Sequence, residues 1–420
     1  MGGGKPPPIF LLELAMPQLN IPPQQSDSEI LQDLMGLVHD FLPLLERAEI
    51  SRLLEALEQS AREELAPFRE FTQRQETLLA AIPRESDPGA LLRLHEGLNA
   101  LEMERFLRFF SVSALHENCT AYRDLLAGRA LELVLQQMPS PPRLPFALIS
   151  MGSNGREEQT LITDQDYLIV YGDGGGAEAD SYFKEYSELL VERLAEIGFK
   201  KCTGGIMPSF DNWRGSLSQW QRRLLAIARY ECADVGKNLM DLIVISDARY
   251  VAGDRELADD LVSRIRSLEQ DYFLALWGMA KAATEMRLAL GFLKRFWTEG
   301  SGEHKGEFNL KLLAWAPLVM NVRILAINQG IPATATVKRI EFLEHERSFS
   351  AATARGLKEA YRILTKHRIL LQIKVIKGIQ DDAHYLNPYS LDKEERERVR
   401  QALLLIEELQ KIIHTNFSIV

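Results

Sequence analysis

Cysteine is scarce, with only Cys119, Cys202 and Cys232 in 420 residues. An odd number of widely separated thiols excludes a disulfide framework, and no two have zinc-ligand spacing, so reduced thiols in a cytoplasmic protein are expected. Cations are in deficit too. Lysine plus arginine number 49 against 59 aspartates and glutamates, a net charge of -10. Tracking nucleic acid or an anionic membrane surface needs clustered basic residues, so neither is expected as a partner. A local basic pocket for a triphosphate stays open. No charge-free apolar run reaches the roughly 18 residues of a membrane span. The apolar stretch near the start is broken by Pro17 and does not make a secretory signal. GxxxxGK(S/T), HExxH and GxSxG patterns are absent, and the eight histidines are scattered. What is present, 46% apolar and 26% charged residues, describes an ordinary globular chain. Its length calls for roughly two or three domains.

Residues 1 to 27, rich in glycine, proline and glutamine, read as a mobile arm. A helical pattern follows from Ser28 to about Ala81, then a turn at PRESDPGA, then a long helical run from Leu91 to Met138 with a break near Ser113. The proline cluster at 139–145 stops it. Beyond it, FALISMG and YLIVYGDG read as buried strands, FKKCTGGIMP as a third and DLIVISDARYV as a fourth. Helices are expected at about 178–197 and from Ser216 to Tyr230. A mixed sheet of roughly four or five strands is therefore expected between about 144 and 252. From Arg255 onward the pattern is helical. The expected division is an arm and N-terminal helical region over 1–138, an α/β unit over 139–254 and a helical C-terminal domain over 255–420.

The chemistry concentrates in SMGSNGREEQTLITDQDYLIVYGDG, residues 150–174. Gly152 and Ser153 follow a strand, where small residues let backbone N–H groups approach a phosphate. A short helix near Arg156 would aim its dipole at the same anion. Asp164 and Asp166 lead into the next strand, and residues i and i+2 of a strand share a face. Two adjacent carboxylates repel unless a cation lies between them, and Mg²⁺ binds through a few carboxylates plus substrate phosphates. A bare DxD is usually a solvated acid or a helix cap; its conjunction with the Gly-Ser turn is what gives the segment specificity. Arg156 either contacts the triphosphate or pairs with Glu157 or Asp164. Trp213-Arg214 either forms a base-stacking wall or is a core tryptophan beside a surface arginine. Lys311, at the start of an apolar helix, either binds phosphate or snorkels to the surface. Gly172 to Ala177 mimics a dinucleotide fingerprint, but Asp173, Glu178 and Asp180 put negative charge where a pyrophosphate would sit.

The segment GSxGRxEQ followed by TDQD resembles the nucleotidyltransferases that occur beside CBS or cyclic-nucleotide-binding modules, relatives of the GlnD-type uridylyltransferases that modify the PII signal protein. CTGGIMPSFDNWRGSLSQWQRR at 202–223, ISDARYVAGDRELADDL at 245–261 and FNLKLLAWAPLVMNVRILAI at 308–327 resemble further segments of that family. Thr203, Asp211 and Asn309 depart from its usual residues. The resemblance covers roughly 100–415. It implies an α+β chain, with a small mixed-sheet, polymerase-beta-like nucleotidyltransferase domain between helical domains. It also implies a third carboxylate beside Asp164 and Asp166. Asp247 matches that position, and Asp241 shares its parity along the expected strand. The implied activity is transfer of a nucleoside monophosphate from UTP or ATP, with Mg²⁺ or Mn²⁺ held by Asp164, Asp166 and Asp247. The acceptor would be a hydroxyl, on a small molecule or on a protein such as a PII-like signal protein, in a signal-transduction setting. The alternative is a catalytically silent nucleotide-binding regulatory module. Oligomeric state stays open.

Overall fold

The computed structural model describes residues 66–67, 69–232 and 234–419. The expected arm at 1–27 and most of the helical pattern from Ser28 to Ala81 lie outside the described residues. Within them the chain is mostly helical around one small mixed sheet, an α+β fold.

Helix α1 (Pro88–Phe109) starts where Asp87 accepts a hydrogen bond from Ala90 N and a proline occupies the first turn. Phe110, at φ 52°, turns the chain, and Ser111 caps α2 (Val112–Gln137). The expected break near Ser113 is this joint. After the prolines come β1 (Phe146–Ser150), a one-turn helix α3 (Gly152–Gly155), β2 (Tyr167–Tyr171), α4 (Gly176–Glu196), β3 (Arg214–Ser216) and α5 (Leu217–Ala228). Then follow α6 (Val235–Ile245), β4 (Arg249–Gly253) and α7 (Arg255–Asp271). The sheet order is β3-β2-β1-β4, antiparallel except for the parallel β2–β3 pair. Every residue of β1 and β2 is buried, which is why these strands read as continuous apolar runs. Helices α2, α4, α5 and α7 all pack on the sheet.

Two expected strands are not strands. FKKCTGGIMP contributes only a single bridge, Lys200 to Asp164, because Gly205 at φ +71° turns the chain away; the third strand is Arg214–Ser216. In DLIVISDARYV, the side chain of Asp234 accepts from Lys237 N and starts a helix that runs to Ile245. Leu242, Ile243 and Ile245 are buried in that helix, and the strand begins only at Arg249. A short apolar run fits either period, and here the cap decides it.

The C-terminal part is a bundle of α8 (Phe273–Thr284), α9 (Ala316–Asn328), α10 (Thr336–His345), α11 (Ala351–Ile376) and α12 (Lys393–Asn416). Helix α9 packs on α8, α10 and α12 and is buried continuously from Pro317 to Ile327. With the wide turn Lys311–Trp315 before it, this segment has the length and mean hydropathy (1.2) of a membrane span, yet 72% of it is buried inside the protein. It is the central rod of the bundle. Among the described residues the bundle holds one two-residue ladder, β5 (Phe308–Asn309) with β6 (Tyr385–Leu386), antiparallel. Through it Leu310 N donates to His384 O over 2.8 Å, setting Lys311 beside His384.

Candidate active site

The segment between α3 and β2 is a buried loop, and buried backbone needs partners. Helix α2 supplies many of them. Arg123 donates to Gln159 Oε1 at 3.0 Å, to Leu161 O at 3.2 Å and to Thr160 O. His116 Nδ1 lies 2.8 Å from Gln159 O. From the bundle, Gln372 donates to Thr160 Oγ1 at 3.0 Å and accepts from Ile162 N at 3.4 Å. The loop is thus clamped from two sides before it delivers Asp164 and Asp166.

Asp164 bridges Lys200, Gln165 N donates to Lys200 O (2.9 Å), and Met151 N donates to Asp166 O (2.8 Å). Gln165 points into the core, its amide donating to Val191 O and Phe199 O, both at 3.1 Å. Alternation then sends Asp164 and Asp166 the other way. Asp166 meets Gly152: a Cβ there would lie 2.6 Å from Asp166 Oδ2, and Gly152 sits at φ +57°. Only glycine meets both demands. Gly152→Ala is therefore expected to push the Asp166 carboxylate aside and to destabilise the protein by about 1–3 kcal/mol through backbone strain. Denaturant unfolding and divalent-cation titration check it; a wild-type result in both would refute the close approach.

Asp164, Asp166 and Cys202 offer donor atoms all within 4.8 Å of one another. In the sequence Cys202 carries no ligand signal, because a lone thiol has no spacing to a partner. Its thiol donates to Asp166. Burial, and then the neighbouring Asp164 charge, push the Asp166 carboxyl up to about 7. The donor set, two carboxylates that repel in a half-buried cleft, fits a divalent cation. Asp166 deprotonates above its unfolded value, so the cation-free fold is favoured less by this group as pH rises through about 7, and a bound cation must displace that proton. Divalent-cation affinity is therefore expected to weaken as pH falls through about 7 and to level off above it, as read by calorimetric titration on either side. A flat profile would refute this.

Asp247 is not with them. It lies in the turn after α6, fully buried, and β4 pairs with β1 rather than with β2. Its two oxygens are taken by arginines: Arg156 Nη1 at 2.6 Å, Arg339 Nη1 at 3.0 Å, and Arg323 through Nε at 3.1 Å and through Nη2. These guanidinium groups hold its carboxyl below the usual range against burial. The expectation of a third metal carboxylate is corrected accordingly: a carboxylate saturated by cations has no lone pair for another. Asp241, the alternative, lies within α6. Arg156 is corrected with it. It is buried and pairs with Glu158 (2.8 Å) and Asp247 rather than with Glu157 or Asp164, and is not presented to a phosphate. Glu158 in turn accepts from Thr336 N at 2.6 Å, joining the motif to α10. Gly155 has no room for a side chain because a Cβ would lie 2.0 Å from Asp247 O. Trp213 and Arg214 are both buried; Arg214 donates to Pro208 O and Ser209 O and pairs with Asp211, so it braces a loop. Asp173, in the glycine-rich turn, accepts from Ser218 N at 3.0 Å and Ser218 Oγ at 2.7 Å.

Two cations of the helical bundle act on the pair electrostatically. Lys311, half-buried, acts electrostatically on Asp166, and Arg368 feels Asp164. Neither forms an ion pair with a carboxylate among the described residues. Arg368 lies over Trp315, 3.9 Å from the ring centroid, and burial pushes its guanidinium down to about 10. It gave no signal in the sequence, being one arginine on an amphipathic helix.

Comparison with known proteins gives two family profiles. One, described as "Putative nucleotidyltransferase DUF294", matches residues 93–232. The other, described as "Putative nucleotidyltransferase substrate binding domain", matches residues 273–417. The first begins inside α1, and α1 and α2 pack on each other and on the sheet's helices. A curated relative, the "Bifunctional uridylyltransferase/uridylyl-removing enzyme" of Haemophilus influenzae (strain 86-028NP), is 27% identical over 111 residues. That alignment covers 26% of this chain and 12% of the relative, so it spans a small part of that enzyme.

Proposed function

The chain belongs to the nucleotidyltransferase family defined by those two domain profiles, and from that premise we propose that it moves a nucleoside monophosphate from a nucleoside triphosphate to an acceptor hydroxyl. The observation that carries the reading is the convergence of Asp164, Asp166 and Gly152, with the charge of Lys311, which has no ion-pair partner among the described residues, acting on Asp166. Mg²⁺ or Mn²⁺ at the pair would neutralise charge on the phosphates and on the oxygens in flight. Asp164 and Asp166 bind and orient that cation. The N–H groups of Gly152 and Ser153, at the start of a helical turn without a side-chain cap, approach the phosphates. Lys311 supplies positive charge from the helical bundle. The buried loop clamp keeps these groups in place without reorganisation. UTP is the first triphosphate to test, since the curated relative is a uridylyltransferase, with ATP beside it. A protein hydroxyl, as on a PII-like signal protein, is the first acceptor class, which would place the activity in signal transduction.

One observation favours a second reading. With Asp247 committed to arginines, the pair has no third carboxylate among the described residues to activate an acceptor, which suits a module that binds nucleotide without turnover. Divalent-dependent pyrophosphate release from UTP or ATP, in the presence of cell extract as acceptor source, decides between them. Release that depends on Asp166 supports transfer. Tight nucleotide binding with no release under any acceptor condition supports the silent module.

A further inference from the structure

Helix α11 turns one face to the active site. Tyr361, Thr365, Arg368 and Gln372 are spaced i, i+4, i+7 and i+11, one stripe of a helix. Three of the four have protein partners. Tyr361 Oη lies 3.0 Å from His116 Nε2, Thr365 Oγ1 accepts from Trp315 Nε1 at 3.0 Å, and Gln372 bonds Thr160 and Ile162 on the loop that leads to Asp164. Arg368, between them, has no hydrogen-bond acceptor or carboxylate among the described residues. Its guanidinium is nonetheless placed, lying on the Trp315 ring at 3.9 Å while that ring is pinned by Thr365. A half-buried guanidinium held over an aromatic face and left without an acceptor among the described residues is prepared for a multi-oxygen anion from outside.

We propose that Arg368 binds the phosphate tail of the nucleoside triphosphate, recognising the phosphates beyond the one that is transferred. This rests on the reading of the site as a nucleotidyltransferase. One helix then both clamps the catalytic loop, through Gln372, and grips the leaving phosphates, through Arg368. Stacking on Trp315 spares much of the ordering entropy an arginine otherwise loses on binding. A monophosphate has no tail to offer, so Arg368 discriminates substrates by phosphate number rather than by base.

The test measures, by calorimetry with Mg²⁺ present, the affinity of the full chain for UTP, UDP and UMP and for ATP, ADP and AMP. Wild type is compared with Arg368→Gln and Arg368→Lys. In wild type, affinity should climb with phosphate number. Arg368→Gln should lose roughly tenfold to a hundredfold for the triphosphate, the range of a charge-assisted hydrogen bond, while monophosphate affinity and the thermal midpoint stay at wild-type values. Arg368→Lys should recover part of the loss. Triphosphate binding unchanged in Arg368→Gln overturns the inference, as does an equal loss for tri- and monophosphate, which marks a structural role. If Asp166-dependent pyrophosphate release coexists with either result, the proposed activity stands and only the role of Arg368 falls. If wild type binds no nucleotide, both fall together.

Discussion

Replacing Asp247 by alanine is expected to lower the unfolding free energy by about 3–5 kcal/mol, the range for breaking a buried ion pair by removing one partner. Asp247 is wholly buried, and three guanidinium groups converge on it. Arg156 belongs to the segment that carries Gly152 and Asp166, whereas Arg323 and Arg339 belong to α9 and α10 of the bundle. Arg156 retains Glu158 when Asp247 is lost, but no other carboxylate pairs with Arg323 or Arg339 among the described residues. Their buried charges would be left facing one another. Asp247→Asn keeps the shape and the acceptor oxygen yet removes the negative charge, so it should fall between alanine and wild type. A third metal carboxylate, as the resemblance implies for Asp247, would lose turnover on a sound fold when changed to asparagine. With its carboxylate committed to Arg156, Arg323 and Arg339, stability is expected to fall first and activity to follow it. Denaturant unfolding of the three proteins, with soluble yield, checks this. An alanine variant that unfolds at the wild-type midpoint would show that the arginines find water or other partners.

The same residue shows what the sequence could and could not carry. Gly152, Asp164 and Asp166 were legible because their geometry is local: a strand, a tight turn and an alternating pair lie within 15 residues, and each step follows from backbone rules. The core strands β1 and β2 were legible as apolar runs for the same reason. Asp247 depended on a long-range fact, the strand order, and strand order is not written in local periodicity. An apolar run of four residues, Leu242 to Ile245, fits one helical turn as well as a strand. Once that element became helical, Asp247 moved to a turn and met arginines that come from 76 and 92 residues further along. Cys202 and Arg368 escaped for the mirror-image reason. Each is a single residue of an ordinary type, brought to the site by a loop or a helix whose approach is set by packing. Lys311 could be singled out because a lysine at the entry to an otherwise apolar helix needs a reason, and phosphate binding by it stays a proposal.

The largest effect on activity is expected from Asp166→Asn, which should lower divalent-dependent pyrophosphate release by about three orders of magnitude, several kcal/mol at roughly 1.4 kcal/mol per decade. Asp166 is the more enclosed of the two carboxylates and lies against Gly152, whereas Asp164 is exposed. Enclosure raises the electrostatic value of its charge toward a cation, because less water competes. It is also why the group is reluctant to ionise alone, and asparagine removes that penalty. Asp166→Asn should therefore bind Mg²⁺ and triphosphate poorly while unfolding at or above the wild-type midpoint in cation-free buffer. That combination separates a site residue from a structural one: Asp247→Ala should lose stability, and Asp166→Asn should lose cation binding without it. Asp164→Asn should show the same pattern in weaker form, since solvent already screens that carboxylate. The measurements are calorimetric Mg²⁺ titration, cation-free denaturant unfolding and pyrophosphate release on all three variants. Undiminished Mg²⁺ affinity in Asp166→Asn would remove the pair from the chemistry, and Cys202 and Asp164 alone could not hold the ion that the proposed transfer requires.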